Sequence, residues 1–270
     1  MGQALADQRI ETELGTFRVA FRPGKTLVVF LNGASSFETE QTFRPVIDRL
    51  PPQTGILVVD YINHGLSSLE KRAFNLEEEA GVILKIIQQQ GAQRILLVAH
   101  SLGGVYALHI AQKLNNLIGF VGIEPMTREI ILDPPHSGGY QAEIEAAAKM
   151  TEKDVLRLFK RRVERYFPPS LAQQIWETSL ADERRSDPAI EQRQSADYSA
   201  ALKRFPNLKL SHDLPVTIFA RDFREAEYRR SEYFTEKWNF KPYGSFHYVH
   251  WEYPGEIRTT IEELLVREKI

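Results

Sequence analysis

RILLVAHSLGGVYALHIA, residues 94–111, opens in one secondary structure and closes in another. The run Ile95-Leu96-Leu97-Val98-Ala99 is apolar without alternation, which predicts a strand covered on both faces. His100-Ser101-Leu102-Gly103-Gly104 turns sharply, and Val105-Tyr106-Ala107-Leu108-His109 continues as a helix. A serine at such a joint is either a helix cap or a nucleophile. Ala99-His100-Ser101-Leu102-Gly103 differs by one methyl group from the G-x-S-x-G elbow, in which a strained turn holds the Ser hydroxyl clear of the backbone. Small residues two places either side prevent collision with the neighbouring strand and helix.

Outward from this stretch, strands and helices alternate. Thr16 to Phe21 reads as an early edge strand, and residues 25–36 as a strand ending in a polar loop. Helical spacing of Phe43, Val46, Ile47 and Leu50 follows, then a buried strand at 55–60. Leu76, Ala80, Ile83, Leu84 and Ile87 mark an amphipathic helix over 76–90. After the quoted stretch comes the strand 117–124. The pattern breaks over 125–212, which is helical with Pro-containing joints at 134–135 and 168–169. It resumes with a strand at 214–222, a charged helix at 225–237, a short strand near 239–245 and a final helix at 254–268. The fold class expected is α/β, with a mostly parallel central sheet flanked by helices. Residues 1–124 and 213–270 form its core, and 125–212 form a helical cap over the sheet edge where ligands bind.

The totals exclude several function classes. A net charge of −2 gives no basic footprint for nucleic acid or an anionic membrane. The absence of cysteine removes thiol nucleophiles, disulfides and thiolate metal sites, and fits a reducing compartment, so a cytoplasmic location is expected. The first 15 residues carry no apolar signal segment. No apolar run reaches the roughly 20 residues that span a bilayer. VAHSLGG is neither a dinucleotide nor a Walker loop. No histidine pair has the i, i+4 spacing of a helical zinc site. Neither cofactor nor metal is therefore expected. The sequence does not fix the oligomeric state.

Four motifs in order resemble the α/β-hydrolase family over nearly the whole chain. FLNGASS (30–36) falls where the family has His-Gly at a strand end. DYINHGLS (60–67) is similar to D-x-x-G-H-G-x-S, with Asn63 in a glycine place. The third motif is the serine elbow. FHYVHWEYPGEI (246–257) looks like the histidine loop, in which the catalytic His precedes a Pro by seven positions, as His247 precedes Pro254. Ser101 is then the nucleophile and His247 the base that takes its proton and returns it to the leaving group. His250 is the alternative base, expected to pack under the last helix. His100 should be turned away from the Ser hydroxyl, His64 should serve the loop after Asp60, and His109 should pack. His136 and His212 have no partner implied.

The triad acid is open among three residues. The position many family members use holds Phe223, with Asp222 one residue early and Glu225 two late. Glu124 ends an apolar strand directly before Pro125, where a carboxylate needs a partner. The resemblance to a subset of haloalkane dehalogenases implies Glu124 as the acid, with Asp222 next. Leu102, as the residue after the nucleophile, offers one oxyanion-hole amide, and the resemblance implies Ala34 for the other. Asn32 stands where the family has His, and Ser35 and Ser36 are candidate site-lining hydroxyls. Dehalogenase and epoxide-hydrolase branches need Asp as nucleophile, so Ser101 points instead to a serine hydrolase. The substrate expected is a small acyl compound, most simply a carboxylic ester. A ligand-binding protein without turnover and an acyltransferase are the competing readings.

Overall fold

The strand that opens the quoted stretch needs two apolar faces because helices cover both. The computed structural model describes residues 5–34, 37–132, 138–185 and 187–266. These form one eight-stranded sheet from β1 (Ala6–Thr12), β2 (Gly15–Arg22), β3 (Thr26–Leu31), β4 (Gly55–Val59), β5 (Arg94–His100), β6 (Leu117–Ile123), β7 (Val216–Ala220) and β8 (Trp238–Pro242). The helices are α1 (Thr39–Ile47), α2 (Leu76–Gln89), α3 (Gly103–Ala111), α4 (Arg128–Leu132), α5 (Gly138–Ala148), α6 (Glu152–Tyr166), α7 (Pro169–Arg185), α8 (Pro188–Arg204), α9 (Glu225–Arg229), α10 (Val249–Glu252) and α11 (Pro254–Val266).

The strand order is β1-β2-β4-β3-β5-β6-β7-β8, with β2 antiparallel to β1 and β4 and the remaining pairs parallel. From β3 the chain steps to one side for β4 and then to the other side for β5. The order therefore reverses between β3 and β5, the place where open α/β sheets leave a ligand crevice. Register pairs Leu31 with Ala99, His100 with Ile123, Ile123 with Phe219 and Ala220 with Pro242. Asn32, Ser101, Glu124 and Arg221 thus leave the sheet along one edge.

Successive side chains of β5 point to opposite faces. Ile95, Leu97 and Ala99 join the cluster containing α2, α3 and the α8 residues Ala201 and Leu202. Leu96 and Val98 join Phe43 and Val46 of α1 and Ile257 and Ile261 of α11. A third cluster packs Val163 of α6, Phe167 just after it and Ile175 of α7 against Phe37, Tyr248 and Trp251. Asn75 and Glu78 close a reciprocal capping box at the start of α2, with bonds of 2.8 and 2.9 Å. All of 128–204 that the structure describes between β6 and β7 is helix or loop. No helix among the described residues is long and apolar enough to cross a membrane.

Two expectations are corrected. Residues 16–21 are not an edge strand: β2 lies between β4 and β1. Ala-Asp-Gln-Arg-Ile-Glu-Thr in β1 is mostly exposed, so it carries no apolar signal. The helix expected over 225–237 stops at Arg229. Beyond it, the Ser231 hydroxyl donates to the Tyr228 carbonyl (2.8 Å). The backbone then bonds to the segment before β7, Leu210 N to Glu232 O at 3.0 Å and Glu236 N to His212 O at 2.9 Å. Those bonds replace the helical ladder.

Candidate active site

Ser101 sits on the turn between β5 and α3 with φ +50°. This left-handed conformation is costly for a residue with a Cβ and persists where the surroundings impose it. Here they do: Ser101 N donates to Ile123 O (3.0 Å), and its carbonyl accepts from Gly104 N (3.0 Å) and Met126 N (2.9 Å). The N-cap of α3 is Leu102, not Ser101, which removes the capping reading. The glycines behind the serine permit close approach. A Cβ on Gly103 would lie 2.4 Å from Leu31 O, and one on Gly104 2.6 Å from Pro125 Cβ.

Glu124 follows β6, also with positive φ (+45°), and is 1% exposed. Its Oε2 lies 3.0 Å from His247 Nδ1. An ionised carboxylate only accepts, so Nδ1 carries the proton and Nε2 is left as the basic nitrogen. Glu124 Oε1 also accepts from Arg221 N (2.9 Å) and Nε (2.8 Å). Oε2 accepts from Arg221 Nη2 (2.7 Å) and Arg224 Nη1 (3.2 Å). Burial alone would push this carboxyl up. The hydrogen bonds from His247 and Arg221 and the charge of Arg224 outweigh burial and hold it well below the usual carboxylate range.

The other acid candidates lie elsewhere. Asp222 is exposed, its carboxylate accepting the Phe223 amide (2.7 Å). Glu225 pairs with Arg229 at 2.6 Å on the surface of α9.

The loop after β3 lies directly against the serine: a Cβ on Gly33 would be 2.9 Å from Ser101 Cβ and from His100 Nδ1. Asn32 braces it, its Oδ1 accepting from Gly33 N (2.9 Å) and its Nδ2 donating to Phe37 O (3.3 Å). The Gly33 amide thus has a protein acceptor, and Ala34 follows at an exposed position. Ser35 and Ser36 lie outside the described residues, as do His136 and the Pro134–Pro135 joint.

His100 does more than turn away from the serine. Its buried ring lies 4.6 Å from that of His247, and its Nε2 donates to the His247 carbonyl (3.1 Å). Burial, with His247 and His250 beside it, pushes it well below the usual imidazole value. His250 is fully buried and stacks on Phe43 of α1 at 4.7 Å, its pKa lowered to about 3 by burial. His109 packs edge-on to Phe205, and His212 lies 3.6 Å from Glu236 on the surface. Asn63 holds φ +70° in its glycine place, which asparagine tolerates better than most residues. Asp60, 1% exposed, accepts from Thr39 N (2.8 Å) and Leu66 N (3.1 Å), so this loop is a structural buttress.

Sequence reasoning missed two groups. One is the Arg221–Arg224 pair, legible as two cations placed just after β7, at the sheet edge where Glu124 needs a partner. The other is Glu79, a carboxylate on the apolar stripe of α2. It accepts from Ile62 N (2.7 Å) and from the Tyr106 hydroxyl. Tyr106 stacks on Tyr61 at 4.3 Å, and the Tyr61 hydroxyl donates to Asn32 O at 2.9 Å.

Residues 28–258 match the model of the alpha/beta hydrolase family. The chain belongs to that family. Among solved structures it is similar to Smu.1393c from Streptococcus mutans, at 30% identity and TM-score 0.85, covering 99% of this chain and 100% of that one. Two more distant likenesses show the fold. A mutant epoxide hydrolase from Vigna radiata has 12% identity and TM-score 0.69, covering 97% and 98% of the two chains. A mutant of the haloalkane dehalogenase DatA from Agrobacterium tumefaciens has 16% identity and TM-score 0.65, covering 98% of each. A search of the curated proteins finds no match to this sequence.

Proposed function

We propose that this protein is a cofactor-independent serine hydrolase that cleaves a carboxylic ester or related acyl compound. The observation that carries the reading is the strained Ser101 elbow at the same sheet edge as buried Glu124, whose Oε2 lies 3.0 Å from His247 Nδ1. Ser101 Oγ attacks the acyl carbon while His247 Nε2 takes its proton. The Glu124 carboxylate keeps the Nδ1 proton in place and stabilises the imidazolium. Charge developing on the carbonyl oxygen is met by the amides of Leu102 and Ala34, each worth about 10²–10³ in rate. Collapse breaks the bond to the leaving alkoxide, which His247 protonates. Water, deprotonated by His247, then attacks the acyl-enzyme and releases the carboxylic acid and Ser101.

Residues 125–212 act as the cap in this reading, packed onto the site loops through Val163, Phe167, Phe37 and Tyr248. Two departures from the family pattern, Asn32 in the His place and Phe223 in the usual acid place, fit this reading: Asn32 bonds Gly33 N and Phe37 O within its loop, and Glu124 would serve as the acid. The test is turnover of short p-nitrophenyl esters. Wild type should show a burst followed by steady release. Ser101→Ala should lose about 10⁵–10⁶ in kcat. Equal turnover in the two would refute the nucleophile.

A further inference from the structure

Glu124 is surrounded by more positive charge than orienting one imidazole requires. Arg221 grips it with a fork and with its own backbone amide. Arg224 touches it with Nη1 and passes its other nitrogens to Glu227, Nε to Oε2 at 3.0 Å and Nη2 to Oε1 at 2.7 Å. Glu227 Oε1 also accepts from the Thr127 hydroxyl. Glu124, Glu227 and Arg224 are 1–3% exposed and Arg221 9%. Two anions and two cations therefore share one desolvated site, and their charges sum to zero.

An uncompensated buried carboxylate beside His247 would favour the imidazolium strongly, because its field is little screened there. The base would then be free only at higher pH. Arg221 and Arg224 oppose that field and also prevent the carboxylate from rotating, since four of the bonds to it come from groups other than His247. The remaining groups around the site carry little charge. His100 and His250 are held neutral by burial. The Tyr228 and Tyr233 hydroxyls donate to Pro125 O (2.9 Å) and Met126 O (2.8 Å), and burial pushes both above the usual phenol value. Glu232 lies 3.5 Å from Arg128, exposed Asp222 accepts from Phe223 N, and Glu225 pairs with Arg229.

Resting on the triad reading above, we propose that Arg221 and Arg224 are positioning residues: they lock Glu124 toward His247 and, with Glu227, form a neutral quartet that sets the pH at which His247 becomes a base. The test is an NMR titration of the His247 ring in the full-length protein, with a serine-directed phosphonate as a separate rate measurement. Arg221→Met should move the His247 midpoint up by about one pH unit. Glu227→Gln should move it the opposite way by a smaller amount. Arg221→Lys keeps the charge and loses the fork. Its midpoint should stay near wild type while phosphonylation of Ser101 slows about tenfold. If Arg221→Met does not fold, Glu227→Gln and Arg221→Lys still decide. Unmoved midpoints, or shifts of one sign in all variants, would overturn the quartet. Variant midpoints that move as stated, together with a wild type that resists phosphonate, would sustain the quartet and defeat the triad reading.

Discussion

Ser101 and Glu124 are both non-glycine residues in left-handed backbone, at φ +50° and +45°, just past the ends of adjacent strands. Each such residue stores about 1–3 kcal/mol of strain that the rest of the fold must offset. Ser101→Gly should therefore raise stability, by about 1 kcal/mol in urea unfolding, while abolishing turnover; an unchanged midpoint would mean the elbow is unstrained. The acid is tested by a pair of variants. Glu124→Gln leaves the shape intact but can no longer hold a proton on Nδ1 as an anion does, and should cost about 10³–10⁴ in kcat. Asp222→Asn, on the exposed turn, should leave kcat within about twofold. The reverse result would move the acid to Asp222.

At the scale of elements, the close packing of β3, β5, β6 and α3 explains where glycine is required. Gly103→Ala would drive a methyl into Leu31 O at 2.4 Å, against backbone that cannot swing aside. It should cost several kcal/mol, about 3 or more, with loss of activity. Gly81 in α2 has nothing within 4 Å of an added Cβ. Gly81→Ala should stabilise by about 0.5–1 kcal/mol. Both are read by urea denaturation, and the contrast in sign is the prediction. The elements most legible in sequence are the unbroken apolar runs of β3, β5 and β6 and the helix α2, whose apolar residues keep a helical period. Polar β1 carried no such period, because an edge ribbon buries little. The truncated α9 was hidden because its charged residues suit a helix, whereas the backbone bonds that end it run to residues 210–212, which a local reading cannot see. Ser101 and His247 are candidates because their motifs have fixed spacing. Glu124 is one of three candidate acids in the sequence; in the fold it lies 3.0 Å from His247, while Asp222 is exposed and Glu225 pairs with Arg229. Arg221 and Arg224 act across a sheet edge, about a hundred residues along the chain from the carboxylate they hold.

Across the whole molecule, buried charge makes stability depend on pH in two opposite ways. Glu124 is held well below its ordinary value of 4.5, so its ionised form stabilises the fold above that value, and the contribution is lost as pH falls further. Glu79 is the reverse case. Burial outweighs its bonds from Tyr106 and Ile62 and raises it from 4.5 to about 7. Its contribution is complete below pH 4.5 and is lost as pH rises through 7, a change of about 3 kcal/mol. Glu79→Gln should therefore raise Tm at pH 8 by several degrees and leave it nearly unchanged at pH 5. Equal shifts at both pH values would mean that Glu79 titrates normally. This carboxylate joins α2 to α3, and the Tyr106–Tyr61 stack continues from it to the loop beside Ser101.

The most direct test of the account is the intact mass of wild type and Ser101→Ala after treatment with a small serine-directed organophosphorus reagent. An activated Ser101 should give a single adduct on wild type, at Ser101, and none on the variant. No adduct on wild type, or the same adduct on both proteins, would contradict an activated serine at the elbow.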